Sequence, residues 1–207
     1  MRVCETFRSL QGEGKKIGVP TYFIRTVGCN LQCLWCDTQY ASSEEGKEMS
    51  VDEIMELVKD EKDVCLTGGE PMLQKDTPEL LRRLSKTDKT VVLETNGSFS
   101  IKDVVYDNVI ISMDIKCPYS GMHEKMDFSN IALLKEKDQL KFVISDGADL
   151  EYAIGILEKY SPKCEVIFTP VGGMDIEPLA EEVVERRIDA RVLPQLHKII
   201  WGNKRAV

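Results

Sequence analysis

An α/β fold built on a parallel sheet is what this 207-residue chain predicts. Short runs rich in β-branched and aromatic residues alternate with stretches whose apolar positions recur at helical spacing. Strands separated by helices pair in parallel through right-handed crossovers. A third feature agrees: the loops rich in Cys and Gly follow predicted strands, and in parallel α/β folds the functional loops lie beyond the strands' carboxyl ends.

The first predicted strand runs from Thr21 to Thr26 and the second from Asp63 to Thr67. Between them Val51, Ile54, Met55 and Val58 form a helical stripe, with Ser50 and Glu53 as a capping box at its start. Thr77-Pro78 then supplies a cap and first turn for a helix carrying Leu80, Leu81 and Leu84. Strands follow at Thr90 to Thr95 and Val109 to Met113. Ser112 to Phe128, with Pro118, Gly121 and several charges, reads as the longest irregular stretch and as a candidate lid or dimer contact. A strand from Leu140 to Ser145 precedes a helix striped by Leu150, Ala153, Ile154 and Leu157. The last strand, Glu165 to Thr169, is followed by a helix bearing Ile176, Leu179, Ala180, Val183 and Val184. With no internal repeat and no Gly/Ser linker, residues 1–207 read as a single domain.

Composition narrows the function classes. A formal charge of −8 argues against a broad phosphate-binding face, so nucleic acid is not expected as a direct partner. Apolar runs of only a few residues cannot span a membrane, and Met1 to Glu5 lacks a signal peptide's apolar stretch, so a cytoplasmic protein is expected. Seven cysteines is an odd number, and Cys4, Cys65, Cys117 and Cys164 have no paired spacing. That fits a reducing compartment, with those four acting as small hydrophobes.

The other three carry the chemistry. Cys29, Cys33 and Cys36 offer three thiolates, whereas a closed zinc site takes four ligands and a cubane cluster has four irons to hold. One iron would stay open to chelation by a small molecule. A zinc site completed by a distant ligand, or three thiols without metal, stand as alternatives. Thr67-Gly68-Gly69-Glu70-Pro71, directly after a strand, puts small residues where backbone can approach a ligand, or makes a plain glycine turn. Ser9-Leu10-Gln11-Gly12-Glu13-Gly14 reads as a tight exposed loop or as a hairpin turn before Thr21. His123, in the irregular segment, reads as solvated.

The Cys-x3-Cys-x2-Cys spacing, with Trp35 before the last cysteine and the Gly-Gly-Glu-Pro run, resembles the radical S-adenosylmethionine (SAM) superfamily. Adding Phe7 to Gly14, Arg25, Asp37-Thr38, Glu94 to Gly97, Gln195 to Lys198 and Trp201-Gly202, the chain is similar over essentially its whole length to the 7-carboxy-7-deazaguanine synthase family. The resemblance implies a partial (β/α) barrel, an open parallel sheet with helices outside. It also implies a 4Fe-4S cluster on Cys29, Cys33 and Cys36, with SAM chelating the open iron and used as a cofactor. The implied reaction is loss of ammonia from 6-carboxy-5,6,7,8-tetrahydropterin to give 7-carboxy-7-deazaguanine, a precursor of queuosine or archaeosine. Mg2+ assists, with Thr38 as its implied protein ligand. An electron donor such as flavodoxin or ferredoxin and a homodimeric state belong to the same expectation.

Site residues follow from that resemblance. Substrate contacts are expected from Leu10, Gln11, Gly12, Glu13, Arg25, Thr67, His197 and Asn203. A guanidinium such as Arg25 grips a carboxylate with parallel hydrogen bonds, and the acceptor-only carboxylate of Glu13 complements adjacent N–H groups on the pterin's pyrimidine edge. SAM contacts are expected from Trp35, Gly69 and Glu70, from Ser112, Asp114 and Lys116 beyond the fourth predicted strand, and from Thr169, Pro170, Val171 and Gly172 beyond the last. Ser112-Met113-Asp114-Ile115-Lys116 departs from the family's usual Ser-Pro-Lys, and residues 203–207 run past the point where family members end. A glycyl-radical activating enzyme and a non-catalytic metal-binding or electron-transfer module are the rival readings.

Overall fold

The computed structural model describes residues 1–207. From the N-terminus its elements are β1 (Arg2–Leu10), β2 (Pro20–Thr26), α1 (Tyr40–Ser43), β3 (Lys47–Glu48), α2 (Val51–Leu57) and β4 (Asp63–Gly68). They continue with α3 (Thr77–Leu84), β5 (Thr90–Thr95), β6 (Val109–Ile115), β7 (Gln139–Ile144) and α4 (Gly147–Tyr160). The chain closes with β8 (Glu165–Pro170), α5 (Glu177–Glu185), β9 (Arg191–Val192) and α6 (Leu196–Trp201). All nine strands form one sheet in the order β3-β1-β2-β4-β5-β6-β7-β8-β9. From β2 to β9 the pairing is parallel, while β1 runs antiparallel to both β2 and β3. The sheet is open, and each of its edge strands, β3 and β9, is two residues long. No helix is long and apolar enough to cross a membrane.

All six expected strands are present, and β1, β3 and β9 add to them. β1 lacks an apolar run because Glu5, Arg8 and Ser9 interrupt it; most of the strand is only half-buried. The Gln-Gly-Glu-Gly loop joins β1 to β2, held by backbone bonds from Gln11 to Val19 and from Gly18 to Gln11, both 2.8 Å. It is therefore a hairpin connection. Gly14 takes a φ of 72°, a left-handed backbone that glycine adopts without strain.

Other expectations are corrected. Ser112 to Ile115 complete β6, so the irregular segment begins only after them. Beyond it the chain winds into 3-10 turns at Pro118–Ser120, His123–Lys125 and Phe128–Leu133. Cys117, Ser120 and Met126 are buried there, and Leu34 of the cysteine loop donates to the Ser120 carbonyl, 3.2 Å. The segment is folded into turns and packed against the core and the cysteine loop. His123 is half-buried, edge-on to Tyr152 with ring centroids 5.7 Å apart. The capping box of Ser50 and Glu53 forms as expected. Asp76, not Thr77, holds the cap position of α3, while the Thr77 hydroxyl donates to the Pro71 carbonyl at 2.5 Å. On α5 only Leu179 and Val183 are buried; Val184 is 77% exposed.

Strand parity divides the sheet into two faces. Ile24, Leu66, Leu93, Ile111 and Phe142 join Leu80, Leu81, Leu84, Leu150 and Ala153 in the main core. Each buried large side chain there stabilises the fold by about 1.5–3 kcal/mol. The opposite parity, Arg25, Thr67, Glu94, Asp114, Lys141 and Val143, lines one cavity. Register aligns those side chains in rows: Glu5 pairs with Arg25 and Arg25 with Thr67, while Asp114 pairs with Lys141.

Candidate active site

The cavity encloses about 910 Å³. Its wall includes Cys29, Cys33 and Cys36, from the loop between β2 and α1, all three half-buried. Gly28 anchors this loop, donating to the Ala41 carbonyl and accepting from the Glu70 amide, each 2.8 Å. Burial pushes the Cys29 and Cys33 thiols up. No three His, Cys, Asp or Glu side chains converge on a point that would hold a single metal ion. A multi-iron cluster needs no such convergence, because each thiolate takes its own iron. Trp35, between Cys33 and Cys36 on the same loop, has its indole N–H buried without a partner, a donor open to a polar ligand atom. Three thiols and an orphaned donor on one cavity wall fit an iron–sulfur cluster with a chelating small molecule.

Two residues of the Gly-Gly-Glu-Pro run fix the loop from below. A Cβ on Gly69 would overlap the Gly28 carbonyl and crowd the Cys29 side chain, so only glycine lets the two loops touch. Glu70 is fully buried and accepts from the Met72 amide at 2.9 Å, the Thr95 hydroxyl at 2.8 Å and the Asn96 amide at 2.6 Å. Burial pushes its carboxyl above the ordinary value against the pull of these donors. Glu70 therefore ties the loop after β4 to the end of β5 and does not line the cavity, contrary to its expected place at SAM. Asn96 carries the tie onward, its side chain donating to Asn30 at 3.0 Å and lying 3.8 Å from the Cys29 sulfur.

Next to the cysteines, Lys116 Nζ bonds Asp114 Oδ2 at 3.0 Å and sits 4.8 Å from the centroid of the Trp35 ring. Asp114 Oδ1 is buried without a hydrogen-bond partner. Trp35, Asp114 and Lys116 thus share one wall. Asp114 lies within β6 and Lys116 directly after it, so only Lys116 is beyond the strand. Ser112 faces the same way but lies deeper, fully buried, donating to Glu94 Oε2 at 2.6 Å and accepting from Gln139 at 2.6 Å.

The other half of the cavity is ionic. Arg25 Nε donates to Glu5 Oε1 at 2.8 Å, and its guanidinium carbon is 5.9 Å from the ring centroids of Phe7 and Tyr40. Tyr40 donates to the same Glu5 oxygen at 2.9 Å. Only Nε of Arg25 is engaged; its Nη edge has no protein partner, and the residue lines the cavity. The Glu13 carboxylate accepts from Lys141 at 2.8 Å and from Gln195 at 2.6 Å. Although burial would raise Glu13, the Lys141 ammonium holds its carboxyl well below the usual range. Thr38 lines the cavity with its hydroxyl 3.8 Å from the Cys36 sulfur. His197 packs on Gly12, with its Nε2 3.9 Å from Asp37 Oδ2.

Of the expected contacts, Leu10, Gln11, Gly12, Glu13, Arg25, Thr67, His197, Asn203, Trp35, Gly69, Asp114, Lys116 and Gly172 all reach this cavity. Glu70, Ser112, Thr169, Pro170 and Val171 do not. Thr169 and Pro170 are the buried end of β8. Lys141 and Glu5 were not anticipated. The available signal for Lys141 was a lone ammonium inside the apolar run Leu140 to Ile144, and for Glu5 its register opposite Arg25.

The Radical SAM superfamily model matches residues 23–126, which span β2 to the turns after β6. The 7-carboxy-7-deazaguanine synthase of Thermoplasma acidophilum is 40% identical over 206 residues, covering 98% of each chain. That of Methanospirillum hungatei is 44% identical, covering 97% of this chain and 85% of its own. Among solved structures, QueE from Escherichia coli superposes with a TM-score of 0.71 at 24% identity over 92% of each chain, a likeness of fold.

Proposed function

The chain belongs to the 7-carboxy-7-deazaguanine synthases of the radical SAM superfamily, and from that premise we propose that it converts 6-carboxy-5,6,7,8-tetrahydropterin to 7-carboxy-7-deazaguanine with loss of ammonia. It is a radical SAM enzyme of deazapurine biosynthesis. The observation that carries the substrate reading is a cavity with two chemically opposite poles beside the cysteines: the free Nη edge of Arg25 and the ionised carboxylate of Glu13. A carboxylated pterin has the complementary poles, a carboxylate at one end and adjacent N–H donors at the other.

Cys29, Cys33 and Cys36 would hold the 4Fe-4S cluster, which together with SAM supplies reductive cleavage and hydrogen-atom abstraction. Trp35, Asp114 and Lys116 offer the nearby polar atoms for SAM, and Gly69 gives it backbone at close range. Arg25 grips the substrate carboxylate, stiffened by Glu5 and Tyr40. Glu13 accepts from the pyrimidine edge, while Thr67, aligned with Arg25, reaches substrate from β4. Thr38 is the proposed Mg2+ ligand; magnesium keeps most of its waters and accepts few protein ligands. Enclosure by the sheet face and the cysteine loop keeps water from the reacting atoms.

We also propose one domain over residues 1–207, a cytoplasmic homodimer, and a flavodoxin- or ferredoxin-type electron donor. The test is anaerobic. Protein reconstituted with iron and sulfide is given SAM, reductant, Mg2+ and the tetrahydropterin; 7-carboxy-7-deazaguanine is the expected product. An intact cluster that cleaves SAM but leaves the pterin unchanged overturns the substrate assignment.

A further inference from the structure

Lys141 is the one charged residue in β7, and its side chain is 6% exposed. A buried ammonium is tolerated only with close partners. Here it has two at hydrogen-bond distance, Glu13 Oε2 and Glu94 Oε2, each 2.8 Å, with Asp114 Oδ1 at 4.0 Å. Glu13 stands on the loop between β1 and β2, Glu94 on β5 and Asp114 on β6. One cation therefore gathers carboxylates from three separate elements. The other oxygen of Glu13 accepts from Gln195 at 2.6 Å, so the Glu13 side chain is clamped from two directions at the cavity wall.

We propose that Lys141 is a positioning residue for the cavity's ligand: by binding Glu13 and Glu94 together it keeps Glu13 an ionised, fixed acceptor for the adjacent N–H donors of a 2-aminopyrimidinone edge. The inference rests on the pterin reading and deepens it. The remaining groups that act on this cluster are His197 from α6, which favours an ionised Glu13, and Arg25 from β2 and Cys65 from β4, which border the same cavity; Lys116 after β6 pairs with Asp114. None replaces Lys141, because no other cation is bonded to Glu13 or Glu94. Burial and the neighbouring Glu13 charge push Glu94 up, whereas Lys141 holds Glu13 down. Without Lys141, burial would act on Glu13 against only the Gln195 hydrogen bond and the His197 side chain. A protonated Glu13 presents a donor to a donor edge, and the match is lost.

Two readouts on cluster-free protein test this. Carbon-13 NMR of glutamate carboxyls, with Glu13 assigned through Glu13→Gln, follows its ionisation without any ligand. Fluorescence titration with 6-carboxypterin follows binding between pH 5.5 and 7.0. In the wild type Glu13 stays ionised and affinity is flat. In Lys141→Met, the Glu13 titration moves up toward that window, because burial is then opposed only by Gln195 and His197, and affinity falls about tenfold as the pH is lowered. Lys141→Arg, which keeps the charge, stays flat. Should Lys141→Met fail to fold, Lys141→Met combined with Glu94→Gln removes the excess carboxylate and carries the same prediction. An unshifted Glu13 and a flat affinity in the methionine variant overturn the inference. If the NMR contrast appears but the wild type binds no 6-carboxypterin, the pterin reading falls while the hold of Lys141 on Glu13 stands.

Discussion

Replacing Glu70 by Gln preserves the side chain's volume and removes one acceptor from beneath the cysteine loop. Oε1 of Glu70 accepts from the Thr95 hydroxyl and the Met72 amide, and Oε2 from the Asn96 amide at 2.6 Å. A glutamine can serve the first two with its oxygen only by turning its NH2 toward the Asn96 N–H, donor against donor. Hydrogen bonds to a charged acceptor contribute about 1.5–3 kcal/mol, and a buried donor left unsatisfied costs about 1–3 kcal/mol. The expected destabilisation is about 2–3 kcal/mol, which in a chain of this length lowers Tm by roughly 4–12 °C. Thermal unfolding of the cluster-free protein, followed by circular dichroism, measures it. A variant that melts with the wild type yet loses SAM affinity would refute the reasoning, because the carboxylate would then serve the ligand and not the loops.

Arg25→Ala should weaken binding of a 6-carboxylated pterin by about 10- to 100-fold, the effect of losing charged hydrogen bonds, and leave a pterin without that carboxylate almost unaffected. Isothermal titration with the two ligands separates these outcomes; equal losses for both remove the carboxylate grip. Gly69→Ala must push the loop after β4 away from Gly28 and Cys29, at about 1–3 kcal/mol, and a displacement near 1 Å at a reactive centre costs roughly a hundredfold in rate. Wild-type melting and turnover in that variant would show that the two loops do not touch. Cys33→Ser should retain the fold, since Cys33 lies at the edge of the core, but fail to retain iron after reconstitution and desalting; full iron content would remove Cys33 from the ligand set.

The parallel half of the sheet was legible because β2, β4, β5, β6, β7 and β8 are short runs rich in β-branched and aromatic residues, with one face buried in the main core. β1 was not, since Glu5, which holds Arg25, and Ser9, on the cavity wall, serve the site, and their polarity hides the strand period. At the site, the thiols could be read from their spacing and Gly69 from its place after a strand, while Arg25 and Glu13 came only with the resemblance to the family. Glu70 could not be placed, because a carboxylate after two glycines looks the same whether it meets a ligand or backbone amides, and only the geometry of β5 decides. Lys141 escaped notice for a related reason. A lysine in a strand reads as an exposed residue unless its partners are known, and those partners lie 128 and 47 positions away. The irregular segment was misjudged where Asp114 interrupts β6, a charge the strand accommodates because it faces Lys141 and Lys116.

The central claim is that three thiols hold a cluster with one iron left for the amino-acid end of SAM, in the cavity that takes the pterin. Electron paramagnetic resonance of the anaerobically reconstituted, reduced protein tests it most directly, recorded with and without SAM. The account predicts a four-iron signal that shifts when SAM is added. A mononuclear, fully ligated centre, or a cluster signal indifferent to SAM, would contradict it.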